Sequence, residues 1–181
     1  VNRRRALRVA GTAAAALLLC GHTPYGQWVV YRKKHLLIGC HRADPPTYAL
    51  AQRIVEELAA HLPAAKARVA RAPDAGRLAS LLGTAQMDVA VLGPSDVATM
   101  AEGTGRFAAY GPIAMGLLVP VADRLLIARA AFPDRHAWLV TGALAGTDLA
   151  PAPSAQGAHG IAWHRGARAY LEGKPEPTAT P

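Results

Sequence analysis

The chain has 181 residues, 51% of them apolar but only 6% aromatic, and carries a formal charge of +8. Seven of the 20 basic residues (Arg3, Arg4, Arg5, Arg8, Arg32, Lys33 and Lys34) fall within residues 1–34, where no acid occurs, so the other 13 face all 12 acidic residues and the remainder is near neutral. That distribution excludes the basic stripe with interleaved aromatics that a nucleic-acid surface needs, and no nucleic-acid partner is expected. Both ends differ in composition from the middle, which leaves roughly 110–130 residues for a core, enough for one domain.

Val9 to Cys20 (VAGTAAAALLLC) is an apolar run of 12 residues behind an Arg-rich start. It has the length of a signal-peptide core and is short of the ~20 residues of a full membrane span. Extended to Val30 it reaches 22 residues, passing through His22 and Pro24, and Trp28 and Tyr31 then stand beside Arg32, Lys33 and Lys34 as an interfacial belt would. Three readings compete. A cleaved signal needs small residues before the cut, and no A-x-A site stands out. A lipid on Cys20 needs a small residue before it, and Leu19 stands there. An uncleaved anchor is the expected form, with residues 9–30 in the lipid bilayer of the inner membrane and the folded part in the periplasm. The basic cluster at 32–34 opposes that orientation. RRRALR is also similar to a twin-arginine signal, with Ala6 at the usual aromatic position.

The folded part is expected at 35–148. His35–Cys40 is a short apolar strand, and Pro45 and Pro46 break the chain before a helix over 47–62. There Ala51, Ile54, Val55, Leu58, Ala59 and Leu62 recur at i, i+3, i+4, i+7, i+8 and i+11, one helical face. Ala67–Ala72 alternates as a strand, and Asp74 can cap a helix carrying Leu78, Leu81 and Leu82, stopped at Gly83. Met87–Leu92 (MDVAVL) is nearly all apolar, as in a strand covered on both faces, with Asp88 at the edge of the buried run or against a basic group. After Gly93-Pro94, Ser95 or Asp96 caps a short helix through Met100.

This β-α-β-α-β-α order implies right-handed crossovers and a mainly parallel sheet in an α/β fold. Leu117–Val121 and Leu125–Ala128 read as further strands, with Asp123 at a turn between them or a bend in one long strand. Pro133 and Asp134 open a helix that offers Trp138, Leu139 and Leu144 for burial. Residues 149–181 read as an extension, with a short helix near Gly166–Glu172 and a disordered tail, KPEPTATP.

Cys20 and Cys40 are the only cysteines, and their positions argue against a disulfide. No C-x-x-C or paired-His spacing points to a metal, no G-x-S-x-G or H-E-x-x-H points to a catalyst, and neither enzymatic activity nor a cofactor is expected.

Four stretches carry a resemblance: HLLIGCHRADPPTYALAQRIVEELAAHLP, MDVAVLGPSDVA, FPDRHAWLVTGAL and HRGARAYLEG. In pieces over residues 35–172, the chain resembles the TAXI family, the solute-binding receptors of tripartite ATP-independent periplasmic transporters (TRAP transporters). The resemblance implies a periplasmic-binding-protein-like lobe, with Thr47 and Tyr48 at the end of the ligand loop and Ser95 and Asp96 in the turn after the third strand. It also implies a loss. Family receptors clamp ligand between two lobes over roughly twice this folded length, and only one lobe is accounted for here. A solute held by one wall faces open water, whereas small-ligand sites bury most of their ligand. The family's glycines in the first loop are replaced by Cys40, His41, Arg42, Ala43, Asp44, Pro45 and Pro46, and Gly93 stands where a Gln is expected.

Plainer roles are open to the same residues: capping and packing for Thr47, Tyr48, Ser95 and Asp96, and a solvated charge paired with Asp44 for Arg42. Trp28, Tyr31 and Trp163 are the candidates for contact with a partner, Trp163 because it lies outside the periodic elements. The expected function is that of a membrane-anchored accessory or structural subunit of a membrane protein complex, derived from a receptor that lost its second lobe and with it a small-molecule ligand. The alternative is a minimal solute-binding protein that captures a small carboxylate or amino acid for a transporter.

Overall fold

The computed structural model describes Tyr31 and residues 34–150 and 158–178. The chain divides into two bodies, Val1–Lys33 and Lys34–Pro181. Residues 9–30, expected as an anchor, and Trp28 with them, lie outside the described residues. Among those described, no helix is long and apolar enough to cross a membrane.

Residues 34–178 form an α/β unit around a five-stranded sheet. The elements run β1 (Leu37–His41), α1 (Pro45–His61), β2 (Arg68–Ala72), α2 (Ala75–Gly83), β3 (Val89–Leu92), α3 (Pro94–Glu102), a 3-10 turn (Gly105–Tyr110), β4 (Met115–Val121), β5 (Arg124–Arg129), α4 (Asp134–Leu144) and α5 (Arg165–Leu171). The strand order is β2-β1-β3-β5-β4. β1 pairs in parallel with β2 and β3, while β5 is antiparallel to both β3 and β4.

The sheet is therefore mixed, not mainly parallel as expected. The cause is the turn at Ala122 and Asp123, which joins Val121 to its partner Arg124 and returns β5 directly beside β4. A parallel neighbour would have needed a crossover of a dozen or more residues. Ala122 adopts φ +52°, the left-handed conformation that tight hairpins require and that Gly or Asn usually supplies. Without either residue, the turn had no strong sequence signal.

Strand periodicity sends alternate side chains to two cores. Ile38, Cys40, Val89, Val91, Leu126 and Ala128 meet Leu50, Ala51, Ile54 and Leu58 of α1 and Ala137, Val140 and Leu144 of α4. Ala90, Leu92, Leu125 and Ile127 meet Leu78, Ala79 and Leu82 of α2, Val97 and Met100 of α3, and Phe107. Leu118 is an extra residue in β4, a bulge between Leu117 and Val119. Its carbonyl accepts from the Thr141 hydroxyl at 3.3 Å, so the bulge leaves no buried acceptor orphaned there.

Two expected starts of helices shift. Pro45 and Pro46 do not precede α1 but open it, in positions where a missing N–H costs nothing. α3 begins at Pro94 with Gly93 as its N-cap and no side-chain cap bond, so neither Ser95 nor Asp96 caps it. Asp74 does cap α2, accepting from Arg77 N at 2.8 Å, and Asp88 meets a basic group, Arg129, at 2.8 Å. The extension contributes Leu149, Ala150 and Ala167 to the core under α1 and α4. Its tail is tied to α4 as far as Glu176, which pairs with Arg135, while the carbonyl of Lys174 accepts from Trp138 Nε1 at 3.1 Å.

Cys40 is a buried free thiol, and burial pushes its pKa up to about 11. In a Cys20→Ser chain, maleimide labelling of Cys40 near neutral pH is expected to be slow in the native state and to accelerate sharply in denaturing urea. Labelling at the same rate in both conditions would contradict this burial.

Candidate functional site

The chain turns to one side of β1 to make β2 and then crosses to the other side to make β3. The carboxyl ends of β1 and β3 thus form a topological switch point, the place where open α/β sheets usually hold ligands. Around this crest stand His41 at the end of β1, the loop 42–44, the first turn of α1 with Thr47 and Tyr48, and the first turn of α3 with Ser95 and Asp96. Antiparallel β5 starts here too, because Leu125 pairs with Leu92, and it delivers Arg124. The 3-10 turn supplies Arg106.

Asp44 and Arg124 make the principal contact. Arg124 Nε donates to Asp44 Oδ2 at 2.8 Å and Nη2 to Oδ1 at 3.0 Å, a two-pronged fork between groups 80 positions apart. Both side chains are about four-fifths buried, at 19% and 21% exposure. Such forks are among the stronger polar contacts because two aligned bonds share one pair of charges. The Arg124 hydrogen bonds hold the Asp44 carboxyl below its ordinary pKa, and the same bonds raise that of Arg124. Asp44, the N-cap of α1, makes no side-chain cap bond, because Pro45 and Pro46 have no N–H and Thr47 N donates to the Asp44 carbonyl at 3.1 Å. The fork replaces the expected pairing of Asp44 with Arg42, whose side chain is exposed.

Of the four residues assigned to ligand by resemblance, Thr47 is fully buried. Its hydroxyl donates to the Asp44 carbonyl at 2.6 Å and accepts from His41 N at 3.4 Å, so it is engaged in holding the loop. Tyr48 is half-buried, with the Arg71 guanidinium 4.5 Å from its ring centre. Asp96 binds Arg106 through Oδ1. Ser95 is exposed, and its carbonyl accepts from the Thr99 hydroxyl at 2.8 Å.

His41 is the residue that sequence reasoning passed over. It is 2% exposed, and neither ring nitrogen has a hydrogen-bond partner. Nε2 lies 4.0 Å from Asp96 Oδ2, beyond hydrogen-bond reach. Arg106 and Arg124 were missed as well; Arg106 reaches Asp96, and Arg124 reaches Asp44, through the tertiary fold, and Arg124 also pairs with its neighbour Asp123. The only available hint was that Arg124 follows a turn.

Trp163, named for partner contact, packs half-buried against both cores and pairs as a bridge with Leu117. Tyr31 is 38% exposed. An open groove of about 740 Å³ lies at the other end of α1, lined among others by Glu57, His61, Trp138 and Tyr170. Among the described residues, no three His, Cys, Asp or Glu side chains converge to hold a metal.

The crest thus offers Asp44 and Asp96, each bound by an arginine of the same chain, with the exposed Asp123 also on Arg124 through Nη1. An incoming carboxylate would have to displace Asp44 from Arg124. In comparisons with known proteins, no family model, no curated protein and no solved structure matches the chain.

Arg124→Ala is expected to lower folding stability by about 1–3 kcal/mol, since it leaves a partly buried carboxylate without its partner. Asp44→Asn in that background should add little. The Asp44 pKa is depressed, so its contribution is complete above the ordinary carboxylate value of about 4 and is lost as pH falls through the lower folded value. Urea melts across the acid range should show that loss in the wild type and a weaker one in Asp44→Asn. Identical acid profiles would refute the fork as a stabilising contact.

Proposed function

We propose that this chain is a membrane-anchored accessory subunit of a membrane protein complex. Residues 9–30 lie in the bilayer, and the α/β lobe faces the periplasm as the retained lobe of a TAXI-type solute receptor. One observation carries the reading: two of the four groups that resemblance assigns to a ligand, Thr47 and Asp96, are engaged within the chain, as is the arginine beside them. Thr47 is buried under the loop, and Asp96 is held by Arg106, while Arg124, a largely buried cation of the crest, is forked onto Asp44. A crest neutralised in this way suits a flat contact with another polypeptide better than capture of a free carboxylate, because a partner need not break the pairs to cover them.

The second reading, a minimal solute-binding protein, draws on His41. A buried imidazole with two unpartnered nitrogens at a switch point is a place where a small polar ligand could complete the hydrogen bonding.

Membranes containing the chain, dissolved in mild detergent and purified natively, should yield it with membrane subunits in fixed stoichiometry. Dicarboxylates and amino acids should leave its melting temperature unchanged. A lone monodisperse monomer would sink the accessory reading. A melting temperature raised by one of those solutes, and no longer raised after Tyr48→Ala or Ser95→Ala, would establish the second reading in its place.

A further inference from the structure

The segment after residue 158 forms a strap along the outer edge of β4. Leu117 N donates to the Ala162 carbonyl at 2.9 Å, and His164 N donates to the Leu117 carbonyl at 2.8 Å. Gly116 makes room for this: a Cβ there would stand 2.7 Å from His164 Cα. α5 then lies on α4 with Ala167 fully buried and the Tyr170 ring edge-on to Trp138, 5.2 Å between centres. The strap takes up edge groups that would otherwise pair with any available strand.

His164 sits at the bend from bridge to helix. It is 3% exposed, and its Nδ1 accepts from Gly166 N at 3.2 Å, capping α5. A ring nitrogen that accepts is unprotonated, so in the neutral ring the proton sits on Nε2, which makes no hydrogen bond of good geometry although the carbonyls of Ala130 and Arg129 face the ring. From α4, Asp134 faces the ring with Oδ1 3.8 Å from Nδ1, and that buried oxygen also lacks a hydrogen bond. From α5, Arg165 Nε stands 3.3 Å from the same oxygen. Phe132 meets the ring edge-on at 6.2 Å, with His136 on that phenyl ring in turn.

We propose that His164 is an acid-released latch on this strap: protonation turns Nδ1 from the acceptor of the Gly166 N–H into a donor to Asp134 Oδ1, uncaps α5 and frees the edge of β4. The proton comes from solvent, and no bond between heavy atoms changes. In the charged form Nδ1–H and Gly166 N–H are two donors face to face, so one must leave, and Asp134 offers the ring an empty acceptor.

Burial is the largest influence on the ring and keeps its pKa below the ordinary value. Asp134 and the carbonyls of Ala130 and Arg129 pull it upward, and Arg165 acts with burial. The sign follows. The unfolded or released segment takes up a proton first, at about pH 6.5, so the latch holds fully above that value and weakens as pH falls below it. Release exposes the N–H and C=O of Leu117, an edge another strand can join. The latch does not depend on the accessory-subunit reading.

Hydrogen exchange of the full chain in detergent tests it at about pH 7.5 and about pH 5, on either side of the ordinary histidine value. Corrected for intrinsic rates, protection of the amides of residues 166–171 should fall on the order of fivefold at the lower pH, the effect of losing one helix cap. The amides of β1 and β3 should not change. His164→Asn retains an acceptor for Gly166 N–H without a titrating ring, and its strap should be equally protected at both pH values. Asp134→Asn keeps an oxygen there but removes the negative charge that favours the protonated ring, and should move release to lower pH. A wild-type strap equally protected at both values, a pH dependence surviving in His164→Asn, or no displacement in Asp134→Asn would each overturn the latch.

Discussion

Val89 to Leu92 are four consecutive buried apolar residues, and they leave β3 no face to give to solvent. The fold must then supply a layer on each side and a strand at each edge. α1 and α4 cover Val89 and Val91, and α2 and α3 cover Ala90 and Leu92. β1 takes one edge in parallel and β5 takes the other antiparallel. The crest follows from this arrangement. Because β1 and β2 depart to one side and β5 and β4 lie on the other, the polar residues that end β1, begin α3 and begin β5 are brought to one place.

What the sequence made legible was local. The face of α1 through Ala51, Ile54 and Leu58, that of α2 through Leu78 and Leu82, the Asp74 cap and the buried β3 all rest on periodicity or on chemistry within a few residues, whereas Ala59, expected on the same face of α1, is exposed. The antiparallel β5 was less legible because its turn uses Ala122 at φ +52°, where Gly or Asn would have announced a hairpin. The crest was legible in position and not in pairing. Thr47, Tyr48, Ser95 and Asp96 do gather there, but no local pattern foretells that Asp44 finds Arg124 across 80 positions or that His41 is sealed in without partners.

The crest also shows how a domain can manage its own charge. A carboxylate about four-fifths buried is costly unless it is paired, and the fork supplies both hydrogen bonds and an opposite charge. Asp96 gains in two ways: it sits in the first turn of α3, where the helix dipole favours a negative charge, and Arg106 binds it. With Asp44 and Asp96 satisfied internally, neither Arg124 nor Arg106 is left as an open partner for an anionic solute. On the proposed reading, a partner meets a nearly neutral surface and is selected by shape.

The two edges of the sheet are protected by different means, and the difference has a consequence. β2 carries exposed Arg68 and Arg71 on its open edge. Charges there oppose pairing whatever the strap does, because an added strand would have to accommodate them without solvent. β4 has no such guard: Leu118, Val119 and Val121 are buried, and its edge depends on residues 161–164 lying against it. A charged edge cannot be switched by moving a neighbouring segment, whereas a covered one can. If strand addition ever joins this chain to another, the physical asymmetry selects β4, and it does so only while the strap is lifted.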